Sequence, residues 1–162
     1  MNNTLFQWIN QYFSEEMAVF LVSTLPVVEL RGAIPLAIGL DMNPWKAYWL
    51  AVLGNMLPVV PLLLFLVPVR KYLREHSEIM DKFFSWLEKR ALDKGDKVER
   101  YGAIGLMLFT AIPLPTTGAW TASLLAVLFR IKFRYAFPAI LMGVLLAGII
   151  MIILSLTGKA IL

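Results

Sequence analysis

Four long apolar runs dominate the chain, and they are of two kinds. Ala47 to Val69 and Tyr135 to Gly158 are clean, 23 and 24 residues without a charge, each long enough to cross about 30 Å of hydrocarbon as a helix. Pro58, Pro61 and Pro68 predict a kink or an irregular half in the first of these. In the second, Ala139, Gly143 and Ala147 form a small-residue ridge that would let another helix approach closely. The other two runs are broken near their centres. Met17 to Leu40 is interrupted by Pro26, Glu29, Arg31, Gly32 and Pro35, and Tyr101 to Phe129 by Pro113, Pro115 and Gly118.

Polar positions set the remaining elements. Residues 1–16 carry Leu5, Ile9, Tyr12 and Phe13 at helical spacing among Asn and Gln, which predicts an amphipathic helix on the membrane surface or packed against the bundle. This segment has neither a basic start nor a cleavage pattern, so it does not read as a signal peptide. Residues 70–100 hold nine Lys/Arg, seven Asp/Glu and the single histidine, His76. Tyr72, Ile79, Phe83 and Leu87 mark one apolar face there, and Asp93 to Asp96 reads as a turn. The segment is a charged amphipathic connector between repeat 1 (17–69) and repeat 2 (101–158) of one membrane domain spanning 1–162.

The order of broken run and clean span occurs twice. Leu25-Pro26 matches Ile112-Pro113 at an offset of 87, Trp45-Lys46 matches Phe133-Arg134 at 88, and Gly54 matches Gly143 at 89. Small insertions in a duplicated unit leave such a drift. If each broken run is a hairpin that enters and leaves on one face, residues 70–100 and 130–134 share a side. That side then holds twelve basic residues, and Lys46 and Lys159 lie opposite. The positive-inside rule favours this arrangement, with the basic side in the cytoplasm. A hairpin plus one span crosses the membrane once, so the two repeats have opposite orientations. The expected fold is an all-α integral membrane protein of two inverted repeats, each a re-entrant helical hairpin plus a transmembrane helix.

Composition agrees. Hydrophobic residues make up 59% of the chain and charged ones 16%, with a mean hydropathy of +0.73. A soluble domain of this size could not hide that much apolar surface. The pI of about 9.5 therefore reports topology rather than nucleic-acid binding. With no cysteine and one histidine, thiolate and His-pair metal sites are excluded, and no cofactor is expected.

The candidate chemistry lies in the breaks. Glu29 and Arg31 are the only charged residues inside any apolar run, and each would cost at least ~2.5–3.5 kcal/mol if isolated in lipid. Positions i and i+2 of a regular helix point apart, so a direct pair requires an unwound loop, which Pro26, Gly32 and Pro35 would permit. Glu29 is a candidate proton or cation site and Arg31 a candidate ligand for carboxylate or phosphate; a structural ion pair locking the hairpin tip is the alternative. The second break offers hydroxyls and no charge. Thr116 and Thr117 could cap the following half-helix, whose positive end attracts anions, and Trp120 could stack on a substrate beside Thr121. The bland alternative is plain capping and packing. Asn55, the one amide in the first span, could line the same cavity.

Glu-Leu-Arg-Gly-Ala-Ile-Pro at 29–35 and Ile-Pro-Leu-Pro-Thr-Thr-Gly-Ala-Trp-Thr at 112–121 resemble the two signatures of the putative small multidrug export proteins. That family is distantly similar to the DedA/VTT membrane proteins, which carry paired re-entrant hairpins in inverted repeats. Members of the wider group move polyprenyl-phosphate carriers or scramble phospholipids. The second hairpin here departs from the DedA pattern in having no arginine at its tip; Arg130 and Arg134 are the nearest basic residues.

Together these features predict a membrane transporter or exporter, proton-coupled through Glu29, for a small amphipathic or lipid-like substrate. Alternatives are a flippase or scramblase of an anionic lipid recognised by Arg31, and a membrane-assembly protein that transports nothing. No catalytic constellation argues for an enzyme. The expected partners are membrane lipids, the substrate, protons and a second copy of the chain, since one copy offers few helices to enclose a path. The expected location is the cytoplasmic membrane of a prokaryote.

Overall fold

A computed structural model describes residues 14–79, 81, 82, 85, 96–113 and 118–161. These residues form seven long helices and no strand: α1 (Glu15–Thr24), α2 (Glu29–Gly39), α3 (Pro44–Met56), α4 (Val59–His76), α5 (Asp96–Ala111), α6 (Ala119–Leu128) and α7 (Phe133–Ile161). They group into two compact units, residues up to 55 with 147–162, and residues 56–146.

In the first unit the Ser14 hydroxyl accepts the Met17 amide at 3.3 Å and so caps α1, with Glu15 and Glu16 in the favourable first turn. Ser14 to Glu16 thus form the start of α1. The rest of the expected surface helix, 1–13, lies outside the described residues. A turn at Leu25–Val28 joins α1 to α2, and the two helices pack on one another. At ten and eleven residues, each measures roughly 15–17 Å, about half of the hydrocarbon thickness. After α2 the Met42 amide donates to the Ala37 carbonyl (3.0 Å) and the Asp41 amide to that of Ile38 (3.2 Å), with Asp41 at φ 60°. This is a Schellman motif with Asp in the left-handed position. Asn43 then caps α3 by accepting the Trp45 and Lys46 amides at 3.0 and 3.4 Å, and Pro44 fills the first helical position.

The second unit repeats this design. Helix α5 packs on α6, and α6 also packs on α4. Helix α6 ends in a second Schellman motif: Ile131 N–H to Ala126 O at 2.9 Å, Arg130 N–H to Val127 O at 3.3 Å, and Arg130 at φ 54°. Asp41 and Arg130 are 89 residues apart, as are the starts of α3 and α7. The ends of α1 and α5 are 87 apart. The drift seen in the sequence therefore arises at the hairpin turns, and Trp45 corresponds by backbone to Arg134 rather than to Phe133.

Glycine contacts repeat as well. A Cβ on Gly54 would lie 1.9 Å from Ser23 Oγ and 2.4 Å from the Phe20 carbonyl oxygen. One on Gly143 would lie 2.5 Å from Thr110 Cβ and 2.6 Å from the Met107 carbonyl oxygen. The glycines are 89 apart and their partners 87 apart. In both units a glycine thus lets the long helix touch the backbone of the first hairpin helix. Ser23 and Thr110 turn their hydroxyls onto Phe20 and Leu106 carbonyls, both at 2.7 Å, so neither buried hydroxyl is left unsatisfied. The ridge predicted at 139, 143 and 147 is shifted: Ala136, Ile140, Gly143, Val144 and Ala147 are buried, and Ala139 is half-buried.

Two further features concern the spans. The kink forms at Leu57–Pro58, which separates α3 from α4, while Pro68 sits inside α4. Helix α4 continues through residue 70 into the charged segment as far as His76, whose ring stacks on Tyr72. Tyr72 and Ile79 are exposed, whereas Phe83, Leu87 and the 93–95 turn lie outside the described residues. Only a third of the most apolar window is buried in the two membrane-length helical runs, Pro44–His76 and Phe133–Ala160. Phe65 is 69% exposed, with Leu64, Val67, Ile153 and Leu154 also open. A core helix of a soluble protein would cover such residues; these faces suit lipid.

Candidate functional site

Glu29 is the first residue of α2, buried to 5% exposure, and its φ is 50°. Left-handed backbone costs an L residue with a Cβ about 1–2 kcal/mol, and glycine would accept it freely. The geometry follows from the tight turn: the Glu29 amide donates back to Leu25 at 3.0 Å and the Gly32 amide to Val28 at 3.1 Å. The chain reverses over the four residues Leu25–Val28, and the residue that enters the next helix from this turn, Glu29, takes the left-handed conformation. Arg31, half-buried two positions on, feels the charge of Glu29.

This differs from the expected unwound loop. The break is confined to Leu25–Val28, which contains Pro26, while Gly32 and Pro35 lie inside α2. The reversed φ at Glu29, rather than an extended tip, is what breaks the regular i, i+2 geometry. A Cβ at Gly32 would come within 2.1 Å of Val28 Cγ1, so a larger residue there would make the valine side chain move. Pro35 supplies no amide to the carbonyl four residues earlier, that of Arg31. A carboxylate and a guanidinium thus share one short stretch of backbone at the start of a helix that contains a proline.

Asn55 lies in the same unit, on α3 beside Gly54, and is 1% exposed. Neither its Oδ1 nor its Nδ2 has a hydrogen-bond partner, so the structure does not join it to Glu29 or Arg31 through a bond. A buried, unsatisfied amide costs about 1–3 kcal/mol and is the kind of group a bound water or ligand would complete.

The second break belongs to the other unit. Thr116, Thr117 and Pro115 lie outside the described residues. The N-cap of α6 is Gly118, which has no side chain to cap with, so the cap expected from threonine does not come from that position. Gly118 is buried with an extended backbone that any residue could adopt. Pro113, Trp120 and Thr121 are half-buried around the break.

One polar contact was not foreseen. Lys159, near the end of α7, donates to the Ile38 carbonyl at 2.9 Å and pairs with Asp41, placing a cation on the C-terminus of α2. The Lys159 ammonium, first by hydrogen bond and then by charge, holds the Asp41 carboxyl below its usual range. A 118-residue separation hides this pair from any local pattern. Lys46 and Glu16 make a similar surface pair between α3 and α1.

No curated protein and no solved structure matches the chain. The family described as "Putative small multi-drug export protein" matches residues 29–150, from the buried acid of α2 to well inside the second long span. The match covers about three quarters of the 162 residues, including Glu29, Arg31 and the second break, and on it the chain belongs to this small multidrug export family of membrane proteins.

Proposed function

We propose that the protein is a proton-coupled exporter of small amphipathic substrates, in which Glu29 takes up and releases the proton and Arg31 supplies the counter-charge. The observation that carries this reading is the buried carboxylate at a backbone position suited to glycine. A chain selected only for a stable turn gains from glycine there; an acid is worth its desolvation and strain when its charge is used. Protonation of Glu29 would remove its attraction for Arg31 and change the electrostatics of the α1–α2 turn, which couples proton occupancy to the local conformation. Asn55 is a further polar group for the substrate path.

In this reading the helix pairs α1–α2 and α5–α6 are re-entrant hairpins in oppositely oriented repeats, and the molecule works as a homodimer in a prokaryotic cytoplasmic membrane. The half-membrane lengths of α1 and α2 and the recurring glycine contacts support it. Because the chain has no cysteine, single Cys probes at Met17 and Leu40 can be labelled without background. Both should react from one face of the membrane; opposite faces exclude the hairpin.

The functional test is efflux of a lipophilic cation from proteoliposomes under an imposed pH gradient. Glu29→Gln keeps size and hydrogen bonding and should stop gradient-driven efflux. Wild-type efflux with an unchanged pH profile would return Glu29 to a structural role. The half-buried guanidinium of Arg31 favours a second reading, a translocator of anionic lipid-phosphate. That reading predicts strong loss in Arg31→Lys, because an ammonium cannot reproduce the two-pronged grip on phosphate. An Arg31→Lys protein with normal thermal stability and full lipid translocation removes it.

A further inference from the structure

A cavity of about 610 Å³ lies within the second unit, lined by residues of α4, α6 and the start of α7. One wall is a single face of α4, where Leu63, Val67, Lys71 and Arg74 follow one another at helical spacing. Over these twelve residues the wall passes from apolar to basic within about 16 Å. The rest of the lining is the end of α6 and the turn after it, where Arg130 and Lys132 alternate with the apolar Ala126, Val127, Ile131 and Phe133. Four cations and no carboxylate line the space among the described residues. The nearby acids act from outside it: Asp81 holds Arg74 at 2.8 Å, helped by Ser85 at 3.1 Å, and Glu75 lies 3.9 Å from Lys71.

We propose that this cavity binds the phosphate headgroup of an anionic phospholipid from the adjoining leaflet, with an acyl chain against the Leu63–Val67 end. Charge complementarity selects an anion, and the apolar-to-basic gradient selects one that is an amphiphile in membrane register. A soluble phosphate would leave the apolar end unused. The volume is within the usual range for ligand pockets, and basic pockets beside membrane helices are suited to lipid headgroups. Arg130 adds an independent indication. It occupies the left-handed Schellman position at φ 54°, which glycine adopts most readily, so the chain keeps a guanidinium where the backbone favours none. The inference does not depend on the exporter reading, because none of the lining residues belongs to the Glu29 turn.

The test is native mass spectrometry of the full-length protein in detergent with added phosphatidylglycerol or phosphatidylcholine. The wild type should retain phosphatidylglycerol in preference to phosphatidylcholine. Arg130→Gly removes the charge while relieving the backbone, so it should unfold no earlier than wild type and yet bind phosphatidylglycerol about fivefold more weakly. Lys132→Gln should show a similar loss without any backbone change. Lys82→Gln, which removes a cation outside the cavity, should bind as wild type does. Equal binding of the two lipids overturns the proposal, as does undiminished binding in both cavity variants or an equal loss in Lys82→Gln. Full displacement of the lipid by millimolar inorganic phosphate would assign the site to a soluble anion instead, and would likewise overturn it.

Discussion

Replacing Gly54 with alanine probes the contact on which the first unit is built. The new Cβ would lie 1.9 Å from Ser23 Oγ and 2.4 Å from the Phe20 carbonyl oxygen, where ordinary contact begins at 3.4 Å. The serine can rotate away, giving up its 2.7 Å hydrogen bond. The carbonyl is α1 backbone and cannot. Helices α1 and α3 must therefore separate by about 1 Å along their contact, which forfeits dispersion energy over several turns. Overpacking of this kind costs ~1–3 kcal/mol, and the better helix propensity of alanine returns about 1 kcal/mol. A net loss of up to about 2 kcal/mol is expected from thermal unfolding in one detergent, followed by size-exclusion chromatography and tryptophan fluorescence. Gly105 is the control, because nothing lies within 4 Å of its Cβ position. Gly105→Ala should be neutral or more stable by up to about 1 kcal/mol. Adding Ser23→Ala to Gly54→Ala should recover only part of the loss, since the carbonyl clash persists. The reasoning fails if Gly54→Ala unfolds at or above the wild-type midpoint, or if Ser23→Ala restores it completely.

Glu29→Gly should raise thermal stability by about 1 kcal/mol through release of the left-handed backbone while abolishing gradient-driven efflux; a less stable variant would show that the acid is there to hold the turn. The Asp41–Lys159 pair should make stability depend on pH in the acid range. Since the folded carboxyl titrates below its unfolded value of about 3.9, its contribution is full above that pH and disappears as pH falls through the folded value. The difference in unfolding midpoint between wild type and Lys159→Met should therefore be constant from neutral pH down to about 5 and shrink towards pH 3; a difference that grows on acidification would contradict the assigned pair.

Much of this protein could be read along the chain, because the bilayer imposes a local rule. Backbone polar groups in hydrocarbon must be satisfied within a helix, so uncharged runs of span length declare themselves by composition. Ala47–Val69 and Tyr135–Gly158 were visible for that reason, as was the interruption at Pro58, which has no amide to give. Glu29 and Arg31 stood out because charge in an apolar run is expensive, and the glycines at 54 and 143 because they held their places in a repeated order. Tertiary structure decided where backbone and distance set the outcome. Gly32 and Pro35 resembled loop residues, yet the short Leu25–Val28 turn absorbs the reversal and leaves both in a helix. Which residue takes the left-handed conformation is a property of that turn and not of any residue's propensity, and it falls on Glu29, Asp41 and Arg130, none of them glycine. The Lys159 cap on α2, the buried amide of Asn55 and the basic cavity beside α4 join residues far apart in sequence. No period or motif encodes such neighbours, because chain folding alone brings them within a few ångströms.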